Sequence, residues 1–488
     1  MHYALPKTKT LNSASRNRER LRALIKRTAG SPARLMVTTW AVIIVLYFVG
    51  PLTYFHPPGL RAWSFIAGCT FTFVLGSRWK LGWQSKKARA ASIQPPPEIS
   101  NSHVDRLVRI CALVGLIGII SFIIDKVFLS GLSYSQGITT VRYERITEAL
   151  SGEDRAQRSF LLYLGFLTVS FSTVAYLLYL LKAEALSRSS VWLAHLSLIS
   201  PIALSMLYGG RSPLVLVVLL ASGALIVRVL NNQTLFPQVA VARRLMLAFA
   251  VLGLLYNGYI LAERRLRSGV EDYYSLINNI EISASATPTA WAEALIENGY
   301  IDSDVFMTLL STHFYLTHGF SALDRTFEYD GALGPYYGQY QFYFVTASLS
   351  RVYPAASFEE LITREMQLAG LYGTFLTAWG GVYVDFDWPC GLIVAFAYGW
   401  LSGRAYRRAT VSQDLGAKLI LCYVIAAILF SPITSPFGVS NSLPTLASIL
   451  LCAWVLRSNR IRAYSARREA QLKATRFVNV PVSLPAGR

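Results

Sequence analysis

The chain has 488 residues, 53% of them hydrophobic and only 15% charged, with a formal net charge of +19. Soluble domains carry about 25% charged residues, so this low charge content and a mean hydropathy of +0.40 exclude an ordinary soluble fold. The basic excess would suit nucleic acid, but it falls in short segments between apolar runs and therefore reads as membrane topology.

In chain order, residues 1–34 come first, with nine Lys/Arg and one Glu. Arg16, Arg18, Arg20, Arg22, Lys26 and Arg27 interleave with Leu21, Leu24 and Ile25 at helical spacing. That pattern predicts a basic amphipathic helix on an anionic leaflet, and a solvated basic tail fits the same residues. The tail is too long for a signal peptide and no small-residue cleavage site follows, so the first apolar span reads as retained.

About 18 or more apolar residues suffice to cross a bilayer of about 30 Å. Candidate spans lie at 35–55, 62–75, 108–129, 160–181, 191–208, 213–230, 245–262, 389–403, 419–437 and 443–456, ten in all. The expected fold is an all-α polytopic membrane protein of about ten helices with a large helical extracytoplasmic loop. Its divisions are a basic tail (1–34), an N-terminal bundle of about seven spans (35–262), the loop domain (263–388), about three C-terminal spans (389–456) and a second basic tail (457–488). The five cysteines fall in or beside apolar spans and read as small core hydrophobes, with no disulfide framework.

Orientation follows from charge. With the N-tail in the cytoplasm, every inner segment is positive, from +1 at 182–190 to +8 at the N-tail, whereas the outer segments 130–159 and 263–387 carry 0 and −10. Both termini are therefore expected in the cytoplasm and the long loop outside. Two apolar stretches within the loop, 305–320 and 342–353, must both cross or both stay out, and amphipathic helices at the outer surface fit better, with a re-entrant dip allowed. The segment 92–101 is a proline-rich linker.

Candidate chemistry concentrates near that loop. Gly209-Gly210-Arg211-Ser212-Pro213 joins two spans at the outer face. The glycines permit close backbone approach, Pro213 suits a first helical turn, and Arg211 becomes a phosphate clamp or a snorkelling anchor. Arg264, Arg265 and Arg267 open the loop, and their planar forks suit a pyrophosphate as well as lipid headgroups. The loop has sixteen acidic and six basic residues, all six of them Arg. His313 and His318 are five apart, a poor spacing for a shared metal; either is a general base or a structural histidine. Arg325 and the tyrosines Tyr329, Tyr336, Tyr337, Tyr340 and Tyr343, on a Gly-rich stretch, suit sugar stacking or an interfacial aromatic belt. Asp385 and Asp387 form a D-x-D that could hold a metal, cap a helix or act in acid/base chemistry. P-loop, dinucleotide-binding, nucleophile-elbow and zinc-protease motifs are absent from the sequence.

The Tyr-Gly-Gly-Arg-Ser hairpin, Tyr315 upstream of the Gly-rich aromatic run 331–343, the stretch Thr377–Phe386, Gly391, and the Gly399/Gly403 span ending in Arg404 together resemble the Wzy-type O-antigen polymerases over 208–408. That resemblance implies a glycosyltransferase C-type architecture, similar to O-antigen ligases, in the bacterial inner membrane with a periplasmic loop. It implies transfer of a growing glycan from undecaprenyl pyrophosphate to the non-reducing end of an incoming lipid-linked repeat unit, without cofactor or metal. Expected partners are the lipid-linked oligosaccharide, membrane lipids, a chain-length regulator and a repeat-unit flippase, with no nucleic acid. On this reading Arg211, Arg264, Arg265 and Arg267 hold pyrophosphate. Tyr315, Arg325, Tyr336, Tyr337, Tyr340 and Arg351 hold glycan, and Asp385, His313 or His318, with Glu359 and Glu360 as further candidates, takes the acceptor proton. The R-x10-G pattern of some members is missing, since Arg325 to Gly334 is shorter. A ligase of the same fold and a lipid-linked oligosaccharide flippase or exporter are the rival readings. Transport is disfavoured by spans nearly free of charge.

Overall fold

The structure is a computed structural model. It describes residues 13–79, 100–129, 159–208, 210–237, 273–284, 286–329, 333–343, 358–371, 373–438 and 441–458, with a few single residues between. Most of the span expected at 245–262 lies outside these, as do Arg264, Arg265, Arg267 and Arg351.

The protein is an all-α membrane protein. After α1 (Ser13–Thr28), spanning helices follow as α2 (Pro32–Val49), α3 (Leu60–Arg78) and α4 (Asn101–Ile123, closing in a π turn at Ile124–Leu129). The next two spans are each broken once: α5 (Phe160–Thr168) with α6 (Ser170–Lys182), and α7 (Arg188–Leu196) with α8 (Ile199–Tyr208). With α9 (Ser212–Leu230) these make six helical units long and apolar enough to cross a membrane. Then come α10 (Tyr273–Ala284), α11 (Ala290–Glu297), α12 (Ser303–Glu328), α13 (Phe358–Leu368) and α14 (Ala378–Val411). Two shorter apolar helices close the described chain, α15 (Leu415–Phe430) and α16 (Ser442–Ser458). Strands β1 (Leu52–Tyr54) and β2 (Ala286–Pro288) pair antiparallel, tying the α2–α3 turn to the chain after α10.

Helix starts carry the expected caps. The hydroxyls of Ser31, Ser159, Ser187 and Thr377 and the carboxylates of Asp302 and Asp414 accept backbone N–H groups in the first turn of α2, α5, α7, α14, α12 and α15. Within the bundle, α3 and the descending part of α14 pack backbone to backbone. A Cβ on Gly399 would lie 2.1 Å from the Phe73 carbonyl oxygen, and one on Gly403 2.2 Å from that of Ser77. Small residues four apart allow this approach, the arrangement favoured where apolar lipid removes any hydrophobic drive between helices. Hydroxyls complete the seams: Ser172 donates to Ser200 at 2.8 Å, and Thr445 to Ser170 at 3.2 Å.

Basic helix ends meet on one side. Lys26 donates to Asn232 at 2.9 Å, Arg407 to the Ser77 carbonyl at 3.3 Å, and buried Arg228 pairs with Glu184. On the other side α12 lies across the ends of α2 and α3. His313 bonds the Leu46 carbonyl, Thr317 the Tyr54 hydroxyl, and Asp324 the Gly59 N–H.

Helix α14 is two helices joined at Asp387, whose φ of 58° and ψ of −174° are not helical. Its first arm, which hydropathy alone assigns to the loop, packs inside the bundle. Trp379 stacks on Trp40 and donates to Thr70 at 3.2 Å, while Tyr383 meets Phe65. Beyond the kink, Trp388 and Gly391 also meet Phe65, and Gly399 meets Phe73. The first arm therefore rises along α3 and the second descends along it. The rising arm begins where α15 ends: the Ala378 N–H donates to the Ser431 carbonyl at 2.7 Å, and Trp40 Nε1 to Ser431 Oγ at 2.9 Å. These interrupted ends lie halfway along α2, and protein partners satisfy the backbone groups that lipid could not.

Candidate functional site

The hairpin between α8 and α9 builds one wall of the site. Gly210 N–H closes onto the Ser205 carbonyl at 3.1 Å, and Pro213 begins α9. Arg211, half-buried, is the residue that caps α9, so its cation sits beside the positive end of that helix. Its guanidinium lies 5.4 Å from the centroid of the Tyr315 ring on α12. This cation–π contact holds the guanidinium against the aromatic face.

Next to it is a cavity of about 200 Å³. Phe166, Val169, Leu204 and Pro213 give it apolar lining, and Tyr208, Gly210, Ser212 and Asn441 supply polar groups. Asn441 is buried and its side-chain carbonyl oxygen has no hydrogen-bond partner. An unmet acceptor of this kind costs about 1–3 kcal/mol, which a hydroxyl or amide donor on a ligand would recover. Sequence reading missed Asn441, although the run Ser431–Ser442, rich in Ser, Thr and Pro between two apolar helices, was the available signal.

Around Tyr315 the structure gathers His318, with ring centroids 6.2 Å apart, and Phe375 at 6.4 Å. His318 stacks on Phe314, and its Nδ1 meets the Phe314 carbonyl at 2.8 Å. A carbonyl only accepts, so Nδ1 carries the proton and Nε2 keeps its lone pair. Burial holds this imidazole below the usual histidine value and therefore neutral, outweighing the carbonyl contact. Arg211, Tyr315 and His318 are thus brought together from two elements about a hundred residues apart.

The other expected residues have different partners. His313 Nε2 meets the Leu46 carbonyl at 2.9 Å and its Nδ1 is buried, so it pins α12 to α2. Arg325 donates to the Ala369 carbonyl at 3.3 Å, just past the end of α13. Glu359 and Glu360 sit in the first turn of α13. Tyr336 is buried, with its hydroxyl on Glu365, a partner that sequence reading did not pick. Tyr337 is 76% exposed and is the aromatic of that loop most open to a sugar face. Tyr340 gives its N–H to Asp385 at 2.9 Å, and Gln341 gives its own at 3.0 Å. Asp385 is fully buried and latches the aromatic loop to α14, with burial raising its carboxyl to about 6 against the backbone donors that favour its charged form. Asp387 caps the descending helix through Trp388 N–H at 2.6 Å. The D-x-D carboxylates are therefore committed to backbone groups, and among the described residues no group of three or more His, Cys, Asp or Glu could hold a metal ion. At the end of α4, Asp125 and Lys126 form a buried pair at 3.1 Å, with Ser159 on the same carboxylate. The described spans are thus not wholly free of buried charge.

No protein-family model, curated protein or solved structure matches this chain.

Proposed function

We propose that the chain is a membrane glycosyltransferase that polymerises lipid-linked oligosaccharide repeat units, with a C-type architecture of about ten spans. Its place would be the bacterial inner membrane, both termini in the cytoplasm and the loop domain from 263 up to the rising arm of α14 in the periplasm. The observation that carries this reading is Arg211. A guanidinium fixed on an aromatic face, at the start of a helix and beside a half-apolar cavity with an unmet acceptor, suits an amphiphile bearing phosphate and hydroxyls.

In the proposed reaction the donor diphosphate lies against Arg211, with Arg264, Arg265 and Arg267, outside the described residues, as its further proposed partners. The acceptor hydroxyl gives its proton to His318 Nε2 and its oxygen bonds the donor anomeric carbon. The bond from that carbon to the pyrophosphate oxygen breaks, and undecaprenyl pyrophosphate leaves with its added charge offset by Arg211. Tyr337 lines the approach of the glycan, with Tyr315, Tyr336, Tyr340 and Arg325, and with Arg351 outside the described residues, as the further proposed glycan contacts. A chain-length regulator and a repeat-unit flippase are the expected partners, and a ligase acting on a different acceptor is the nearest enzymatic alternative.

Arg211→Ala should lower chain elongation in cells on the order of a hundredfold or more, the scale of losing one charge-stabilising donor, at unchanged protein level. Long surface glycan at wild-type level would contradict the proposal. A second reading draws on the helix ends that meet midway through the bundle at Ala378 and Ser431, a feature of transporters. Translocation of labelled lipid-linked repeat units by the purified protein, with no growth in their length, would favour that reading.

A further inference from the structure

A second site lies at the opposite, basic end of the bundle. Helix α14 presents Trp400, Arg404 and Arg408 at spacings of four, which puts them on one face. Helix α16 presents Trp454 and, one turn on, Arg457. The guanidinium of Arg404 lies 5.7 Å from the Trp400 ring centroid. Arg404, Arg408 and Arg457 are all exposed, as is Trp454 at 65%. The two helices are held near each other by α15: its first turn follows α14 by a short link, and its Gly416 packs against Ala453 of α16.

The three arginines crowd one another. Arg408 is held below the ordinary arginine value first by partial burial, then by the charges of Arg404 and Arg457, with Asp414 opposing. Among the described residues none of the three makes an ion pair with a carboxylate. Asp414 uses one carboxylate oxygen on the cap of α15, accepting from Gly416 N–H at 3.0 Å. Farther from the basic end than the tryptophans, Ile393 on α14 is 67% exposed and Leu450 and Leu451 on α16 are about half exposed. The surface therefore grades from apolar through tryptophan to a guanidinium cluster with net positive charge, which matches acyl chain, interface and anionic headgroup in that order.

We propose that Arg404, Arg408 and Arg457, with Trp400 and Trp454 above them, form a binding site for an anionic phospholipid headgroup, separate from the Arg211 site. Three exposed guanidinium groups on two neighbouring helix ends offer phosphodiester oxygens planar forks as well as charge. That distinguishes this site from α1, whose arginines only attract an anionic surface in general.

The test is native mass spectrometry of the full-length protein in neutral detergent, titrated with phosphatidylglycerol or with phosphatidylcholine. The wild type should retain phosphatidylglycerol selectively. R404Q/R408Q/R457Q should bind it roughly tenfold or more weakly, while R16Q/R18Q/R20Q/R22Q on α1 should keep the tight class of binding. Equal retention of the two lipids would overturn the site, as would loss of binding in the α1 variant and not in the triple variant. Competition by soluble glycerol phosphate at the same concentration as the lipid would also overturn it, since that would make it a phosphate site rather than a lipid site. If the triple variant aggregates, Arg457→Gln alone, at an exposed position, should still weaken binding about threefold; unchanged binding would count against the site.

Discussion

At the residue scale the two histidines separate by what their nitrogens do. His318 keeps a lone pair on Nε2 beside Tyr315, whereas His313 is spent on the Leu46 carbonyl. His318→Gln should therefore lower turnover by about a hundredfold with little change in thermal midpoint, and His313→Gln should lower the midpoint with turnover largely kept. Turnover assays and thermal unfolding of both variants check this, and the reversed pattern would remove His318 from its proposed role. Asp385 makes a pH prediction. Its folded value of about 6 exceeds the unfolded 3.8, so the folded protein binds more protons between these values. Its contribution to stability is full below about 4 and is lost as pH rises through about 6. The thermal midpoint of the wild type should fall more between pH 5 and 7.5 than that of Asp385→Asn; parallel curves would contradict the assignment. Arg211 was legible in the sequence because glycines and proline flank it. The Asp385 latch was not, since its donors are 44 and 45 residues away and no local pattern encodes that pairing.

At the element scale, apolar length makes the six long spans readable, because a helix that must cross lipid has few alternatives. The rising arm of α14 was not readable. Residues 377–388 alternate Gly, Trp, Tyr and Asp, which reads as loop, and their place in the bundle depends on Trp379 stacking on Trp40 and on a turn at Asp387. The backbone of Asp387 sits in a region that costs about 1–3 kcal/mol for a non-glycine residue, and the cap on Trp388 N–H offsets part of it. The expected α1 helix is present, and its side-by-side position with the end of α9 is fixed by Lys26 and Asn232. Packing of α4 against α16 has a direct check. Cys111 and Cys452 have sulfurs 3.5 Å apart. Mild membrane-permeant oxidant should join them in a single-chain disulfide, seen as a mobility shift after cleavage between the two positions and lost in Cys452→Ser. No cross-link in the folded wild type would mean that these helices do not meet there.

At the scale of the whole molecule, charge and hydropathy divide the labour. The basic ends collect on one side, where Arg407, Arg228 and Lys26 tie helices together and where Arg404, Arg408 and Arg457 stand exposed. On the opposite side α12 meets Arg211 through Tyr315, and the hairpin that carries Arg211 lines the cavity. The broad division into a greasy scaffold and an acidic, arginine-only loop was already visible in composition. What composition could not supply was which loop residues face the scaffold. That depends on contacts such as Arg211 on Tyr315 and Asp324 on Gly59, made between segments far apart in the chain. The proposed activity of this far side is the joining of sugars carried on a diphosphate lipid. Its most direct measurement is incubation of the purified protein with undecaprenyl-pyrophosphate-linked repeat units, followed by sizing of the products. The wild type should yield a ladder of lipid-linked oligomers and free undecaprenyl pyrophosphate, and Arg211→Ala should yield neither; repeat units recovered unchanged from active, folded wild-type protein would contradict the account.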